Sequence, residues 1–322
     1  MSNITVAVLA PNGFADALGK KGTASDITFY NLKKGEATVT FIEPTRYPEK
    51  LSSLFYAISL ADRILLVVDE ITATFGETVL MLQCAGKAHG TLIFRNYLSP
   101  DQIAPLIKGT VLEHYDTAEN DPIGIRENLL DAAAKLTHHQ KVKEGGNGTL
   151  PIDHHFNVKG VGTVVLGCVT HGVLKKHDSL KVLPTTKTAQ IRSIQKHDDD
   201  AETAVTGDRA GLALKGIEAD DLDRGFVLTN DPAIQCSSVV SGKAQLVKYW
   251  PAPLKEEMVI YLGHWMQFLP SRLTKVTADG DWRMPELTFT LEKELVYPAG
   301  ARVVLHYLEG GKLRVVGTLT LQ

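Results

Sequence analysis

The sequence predicts an α/β doubly wound domain followed by two all-β barrels. Three observations carry this expectation. The first part alternates strand-like and helix-like periods. Helical periodicity nearly stops beyond a glycine-rich break around residue 145. Short β-branched runs then recur between turn signals to the end of the chain.

The elements follow in order. Residues 4–9 (ITVAVL) and 37–42 (ATVTFI) read as strands. Leu51, Leu54, Phe55 and Ile58 recur at three and four, the spacing of one helix face. Residues 64–68 (ILLVV) are apolar without alternation, as in a strand buried on both faces. A helical pattern over 78–87 stops at Gly90, and 91–94 is a further buried strand. Ser99-Pro100-Asp101 is a helix start signal. Residues 110–114 are strand-like and 124–136 helical. Such alternation implies a mostly parallel sheet with helices on both faces.

Residues 143–148 (KEGGNG) can neither pack nor hold a helix, so they read as linker. The expected organisation is an α/β domain over 1–141, a linker over 142–150, a first barrel over 151–234 and a second over 235–322. Strand runs in the first barrel fall at 162–169, 179–183, 189–194, 210–214 and 226–229. In the second they fall at 238–246, 257–262, 271–276, 287–291, 302–307 and 313–321.

A length of 322 residues fits two or three domains, and 44% hydrophobic with 22% charged residues is ordinary for a globular chain. Net charge is −3. Residues 1–150 carry 14 basic against 17 acidic side chains, 151–234 carry 10 against 12, and 235–322 carry 10 against 8. No segment is cationic enough for non-specific nucleic-acid binding, so DNA is not an expected partner, and any RNA contact must be local and shaped. No apolar run approaches the ~18–20 residues that span a bilayer, so no membrane partner is expected. The opening MSNITVAVLA has no basic n-region, which makes the cytoplasm the expected location. Cys84, Cys168 and Cys236 are far apart and form neither a metal spacing nor a disulfide framework.

Several motifs invite a function. Residues 160–167 (GVGTVVLG) resemble a dinucleotide fingerprint, but the glycines open a β-branched run rather than a helix. His138-His139 and His154-His155 lack the spacing and backing groups of metal ligands, so no metal site is expected. His197-Asp198-Asp199-Asp200 reads as a solvated turn between strands. Asp153-His154 and Gly207-Asp208-Arg209 are expected at the starts of barrel strands. There they either converge on a polar pocket for an anionic or polarisable group or stand apart on the surface. A phosphate-binding loop needs Gly-x4-Gly-Lys-Ser/Thr after the first strand. Here Gly13 to Gly19 is one residue too long, Lys20 is followed by Lys21 where the hydroxyl belongs, and residues 26–30 do not start a helix.

Six blocks in the middle of the chain agree in order with one family. They are residues 151–156 (PIDHHF), 160–167, 172–174 (GVL), 191–195 (IRSIQ), 207–212 (GDRAGL) and 224–228 (RGFVL). With a sheet before them and a second barrel after, the chain resembles the translational GTPases of the EF-Tu and SelB type. Across its whole length it looks similar to the SelB-like archaeal factors sometimes called EF-Pyl. The resemblance implies elongation-factor architecture, with a P-loop-like domain in front of the barrels.

It also implies four nucleotide-binding elements, and each is altered. The phosphate loop is broken at Gly13, Gly19, Lys20 and Lys21. The Asp-x-Pro-Gly element is Glu43-Pro44-Thr45-Arg46, and the guanine-reading Asn-Lys-x-Asp is Arg95-Asn96-Tyr97-Leu98. The fourth is not recognisable near residues 115–117. Phosphoryl transfer depends on positioning and charge stabilisation, so GTP hydrolysis is expected to be lost, with no catalytic residue and no cofactor. GTP and Mg²⁺ return only if the nucleotide site is built differently.

By the same resemblance, the barrels grip the acceptor end of aminoacyl-tRNA. Asp153, His154 and Arg209 would line the aminoacyl pocket, with Arg209 held by Asp153 and its remaining donors offered to a ligand. Arg192, Gln195 and His197 would lie towards the terminal adenosine. The implied partners are tRNA or tRNA-like RNA, with the ribosome beside them. Two other readings stand next to this one: an active factor with a divergent nucleotide site, and a structural or regulatory module that binds a protein.

Overall fold

The structure, a computed structural model, describes residues 2–136, 146–311 and 313–322. Residues 142–145 of the expected linker, and the pair His138-His139, lie outside the described residues.

The N-terminal sheet contains β1 (Ser2–Leu9), β2 (Lys20–Ala24), β3 (Thr28–Lys34), β4 (Ala37–Glu43), β5 (Arg63–Val68), β6 (Gly90–Phe94) and β7 (Asp116–Ala118). Its helices are α1 (Leu51–Leu60), α2 (Ala73–Cys84), α3 (Pro100–Ile107) and α4 (Pro122–Leu136). The order in space is β2-β3-β4-β1-β5-β6-β7. Strands β4, β1, β5, β6 and β7 are parallel, and the β2–β3 hairpin adds antiparallel to β4. Nearly every residue of β1, β4 and β5 is buried, so both faces need cover. Leu54 and Ile58 of α1, Leu82 of α2 and Ile103 of α3 cover one face against Ala7, Leu66 and Val68. Ile125, Leu130 and Ala133 of α4 cover the other against Val6, Val8 and Phe41. This is the doubly wound arrangement the alternating periods imply.

Local polar groups move three boundaries away from the sequence expectation. Helix α2 begins at Ala73 rather than near 78, because Thr72 Oγ1 accepts the Phe75 N–H at 3.4 Å. It ends before Gly86, whose φ of 65° is left-handed. Helix α4 starts at Pro122, where the Asp121 carboxylate accepts from Ile123 and Gly124 N–H, each at 3.0 Å. The expected strand over 110–114 is instead a 3-10 turn, Val111–His114. Thr110 Oγ1 accepts the Leu112 N–H and Gln83 Oε1 the Val111 N–H, which diverts those amides from a ladder.

No helix follows β1. The chain turns at Gly13 (φ 88°), makes a short 3-10 turn over Phe14–Ala17 and enters β2.

The first barrel is built from β8 (Thr149–Val158), β9 (Gly162–Cys168), β10 (Val173–Lys175), β11 (Ser179–Leu183), β12 (Lys187–Lys196), β13 (Asp199–Ala201), β14 (Thr203–Val205), β15 (Arg209–Lys215) and β16 (Val227–Thr229). A β11–β12 pairing closes the order β11-β16-β8-β9-β15-β12 on itself, and β10 pairs with β14 alone. Inward positions such as Ile152, Val165, Leu180, Ile191 and Leu212 form its core. The second barrel holds β17 (Ile234–Leu246), β18 (Val259–His264), β19 (Gln267–Thr277), β20 (Glu286–Pro298), β21 (Arg302–His306) and β22 (Val315–Leu321). It closes as β17-β20-β19-β18-β21-β22 around Leu262, Leu273, Phe289 and Leu305.

Both barrels share the apolar core under α1 and α2: Cys168, Met266, Val304 and Val315 belong to it. Phe55 of α1 is 2% exposed and meets the rings of Phe268 at 5.8 Å and His306 at 5.3 Å. Gly263 leaves room for it, since a Cβ there would stand 2.7 Å from the Phe55 ring. Arg314 of the second barrel forks onto Glu77 of α2 and donates to the Pro48 carbonyl at 3.0 Å. Phe55→Ala should therefore lower unfolding free energy by about 3–5 kcal/mol in urea denaturation. A loss under ~1 kcal/mol would show that this contact does not hold the second barrel.

Candidate functional site

A bulge in β8 between Ile152 and His154 sets the centre of the site. Asp153, in the interior of that strand rather than at its start, is turned inward and only 1% exposed. Arg209, the first residue of β15, donates to it twice, from Nε to Oδ2 at 3.2 Å and from Nη2 to Oδ1 at 3.0 Å. His154 Nδ1 lies 2.8 Å from Asp153 Oδ1. A carboxylate only accepts, so Nδ1 carries the proton. Burial pushes the Asp153 carboxyl up, but the Arg209 guanidinium and the His154 bond outweigh it and hold the group below the usual carboxylate range.

Asp153, His154 and Arg209 thus converge. The N-terminal domain closes over them. The Arg209 guanidinium lies 3.8 Å from the centroid of the buried Phe29 ring, and His154 meets that ring edge-on at 5.7 Å. His154 Nε2 stands 3.0 Å from Ser25 Oγ. The free face of Arg209, expected to meet a ligand, is covered by Phe29.

Arg224 ties the two domains at the same place. It donates from Nε to the Asp153 carbonyl at 3.0 Å, from Nη2 to Ser25 Oγ at 3.0 Å, and from Nη1 to Asp26 Oδ1 at 2.5 Å. Lys50 Nζ takes the other Asp26 oxygen at 2.7 Å. Burial again opposes ionisation, yet Lys50 and Arg224 bring Asp26 down to about 2. A charged cleft of about 640 Å³ opens alongside, lined by Ser25, Asp26, Arg46, Glu49, Lys50 and Arg224. Ser25, Asp26, Phe29 and Arg224 were not expected at the site. Arg224 heads one of the family blocks, which is the signal the sequence offered for it.

The remaining barrel residues separate. His197 and Asp198 turn the chain between β12 and β13 with φ of 48° and 68°, a region Asn, Asp and His tolerate. The turn is not simply solvated. His197 Nε2 sits 3.1 Å from Asn3 Oδ1, and Asp199 pairs with Lys33 at 2.5 Å. Burial, then the nearby Arg209 charge, lowers the His197 pKa. Gln195 is bonded to Asp200 at 3.0 Å, and Arg192 to the Val161 carbonyl at 3.0 Å, both exposed and outside the cluster. Gly160 and Gly162 have φ of 81° and 93°, so their spacing serves the β8–β9 turn.

The positions expected to form a degenerate nucleotide site have their own geometry. The buried Glu43 carboxylate accepts the Gly13 N–H through Oε1 at 2.9 Å and the Tyr30 hydroxyl through Oε2 at 3.0 Å. Lys20 and Lys21 lie in β2 opposite Asn31 and Tyr30, and Gly19 runs against the Asn31 carbonyl. Arg95 Nε is 3.3 Å from Asp69 Oδ1, and Asn96, with φ of 52°, donates to the Asp69 carbonyl at 3.4 Å. A crevice of about 440 Å³ opens at the carboxyl ends of β1, β4 and β5, where open α/β sheets bind ligands. Its polar lining includes Asp69 and Glu70, and among the described residues no lysine or arginine lines it. No group of three or more His, Cys, Asp and Glu among the described residues could hold a metal ion, and no helix among them is long and apolar enough to cross a membrane.

The family profile of elongation factor Tu domain 2 matches residues 162–229. An uncharacterised protein of Methanocaldococcus jannaschii is 35% identical over 319 residues, covering 98% of this chain and 99% of that one. The selenocysteine-specific elongation factor of the same organism is 26% identical, covering 90% of this chain and 68% of its own. The crystal structure of the translation elongation factor SelB from Methanococcus maripaludis superposes with a TM-score of 0.80 at 22% identity, over 100% of this chain and 80% of that chain.

Asp26 and Asp153 are both depressed below the ~3.9 of an unfolded aspartate. Their stabilisation is complete above about pH 4 and is lost as pH falls towards Asp26's value of about 2. Melting temperature should fall across that window, and Asp26→Asn should start lower and show a flatter acid limb. Parallel curves for the two proteins would contradict the assignment.

Proposed function

This chain belongs to the translational GTPase superfamily of the EF-Tu/SelB type, and we propose that it acts there as an elongation-factor-like protein that binds tRNA, or another RNA with an acceptor-like end, without binding or hydrolysing GTP. The observation that carries the second half is the Glu43–Gly13 bond. A phosphate loop works because backbone N–H groups after the first strand point at an anion. Here a buried carboxylate already takes the Gly13 amide and places a negative charge where the phosphates would come. No helix follows to add its N-terminus, and the crevice beyond is walled by Asp69 and Glu70. With phosphate, magnesium and base-reading elements all altered, the degenerate site of Gly13, Gly19, Lys20, Lys21, Glu43, Arg95 and Asn96 offers nothing to position a γ-phosphate.

The RNA half rests on the first barrel. His154, Arg209 and Arg224 gather around Asp153, and Arg46, Lys50 and Arg224 bring cations to the adjoining cleft. A chain of net charge −3 can hold RNA only through such a local cluster. In this reading phosphodiesters enter the cleft, and the acceptor end reaches Arg209 when Phe29 leaves its guanidinium. His197, Gln195 and Arg192 flank the terminal nucleotide. Function is in the cytoplasm, at or on the way to the ribosome.

Calorimetric titration with GDP and Mg²⁺ should give no saturable heat at micromolar protein. A saturable signal would favour an active factor with a divergent nucleotide site. RNA that co-purifies with the full chain should be enriched in tRNA. Arg46→Ala should weaken binding of that RNA about tenfold, as one charged contact is worth ~1.5–3 kcal/mol, and should lower the salt slope by about 0.7. Arg95→Ala should leave both unchanged. No co-purifying RNA, or equal effects of the two variants, would shift the function to a protein partner.

A further inference from the structure

We propose that the junction of the three domains is a binding site for a small oxyanion that also carries an O–H or N–H donor. The site shares no residue with the Asp153 cluster and stands independently of RNA binding. A cavity of about 460 Å³ opens there, bounded by Lys87, Arg63 and His89 of the N-terminal domain, Thr170 of the first barrel and Trp265 of the second. That volume lies in the range of small-molecule sites, roughly 300–1,000 Å³. A second chamber of about 160 Å³ shares Ser59, Lys87 and Trp265 with it and reaches His264. Both chambers thus touch Lys87 and Trp265.

One end of this space donates. Lys87 gives protons to the Ser59 carbonyl at 3.1 Å and the Ala61 carbonyl at 2.7 Å. An ammonium has three, so one remains for the cavity. Burial lowers Lys87 to about 8, which leaves it charged at pH 7. Asp62, the carboxylate facing it, is engaged by the Thr5 N–H at 2.8 Å. With Arg63 and Lys87 both in the lining against Asp62, the cavity stays net cationic.

The other end accepts. His264 is 9% exposed, and its Nδ1 bonds the Arg302 carbonyl at 3.2 Å. A carbonyl only accepts, so the proton is on Nδ1 and Nε2 holds a lone pair. That Nε2 is buried and has no partner. Burial pushes the imidazole down to about 4, so it stays neutral and needs a donor from outside. Trp265 packs on the imidazole with centroids 4.4 Å apart and adopts a φ of 49°, a conformation bulky residues rarely take. The strained turn fixes both rings at the cavity wall. A phosphate or carboxylate on Lys87 and Arg63, with a hydroxyl or amino group reaching His264, would give the cations an anion and Nε2 its missing donor. Phosphorylated hydroxy acids have this chemistry, and hydrogenphosphate has it in minimal form.

The test titrates the full chain calorimetrically with inorganic phosphate and with 3-phosphoglycerate. Both should bind saturably, 3-phosphoglycerate at least tenfold more tightly because it spans both ends. Lys87→Met and His264→Phe should each weaken 3-phosphoglycerate tenfold or more. Acylation footprinting of the wild-type protein needs no variant: saturating 3-phosphoglycerate should protect Lys87 and leave the exposed Lys34 unprotected. Absence of saturable binding, unchanged affinity in both folded variants, or undiminished acylation of Lys87 would overturn the proposal.

Discussion

A carboxylate buried in the wall of a β-barrel holds this molecule's domains in register. Asp153 is out of water and ionised, which is tolerable only with cations and donors around it. Arg209 and His154 supply them, and each leans on the N-terminal domain, one against the Phe29 ring and the other against Ser25. Arg224 repeats the link between the Asp153 carbonyl and Asp26. The β2–β3 connection is therefore pinned to the barrel at several points within a few residues. Once it is pinned, the His197 turn falls on Asn3 and Asp199 on Lys33.

Beside that connection, at the carboxyl ends of β1, β4 and β5, the sheet holds its crevice. The strands β4, β1 and β5 stay together because they are apolar and covered on both faces, not because a phosphate loop organises them. Glu43 can thus occupy the Gly13 amide without disturbing the architecture. The crevice at the strand ends has a polar lining of neutral groups with Asp69 and Glu70 as its charged members. The proposed function treats fold and nucleotide chemistry as separable.

Much of this was legible in the sequence. The buried strands announced themselves as unbroken apolar runs, and the barrels as β-branched runs between turns. Errors arose where one polar side chain overrules composition. Thr72 starts α2 early, and Thr110 with Gln83 turns a β-branched stretch into a 3-10 turn. The polar cluster was harder. Nothing in spacing joins Asp153 to Arg209: residue chemistry left convergence as one of two alternatives, and the family resemblance favoured it. Ser25, Asp26, Phe29 and Arg224 escaped because their contacts bridge separate domains. The three-domain junction escaped for the same reason: Lys87, His264 and Trp265 carry no motif, and their roles follow from burial and from which hydrogen bonds are left open.

The proposed function uncouples RNA recognition from guanine nucleotide. Its most direct measurement is the affinity of the full chain for aminoacyl-tRNA without nucleotide, with GDP and Mg²⁺, and with a non-hydrolysable GTP analogue and Mg²⁺. One dissociation constant is expected for all three conditions, because in the proposed reading the Glu43 carboxylate leaves no phosphate site to report a bound state to the barrel. Tight binding that appears only with the GTP analogue would contradict it.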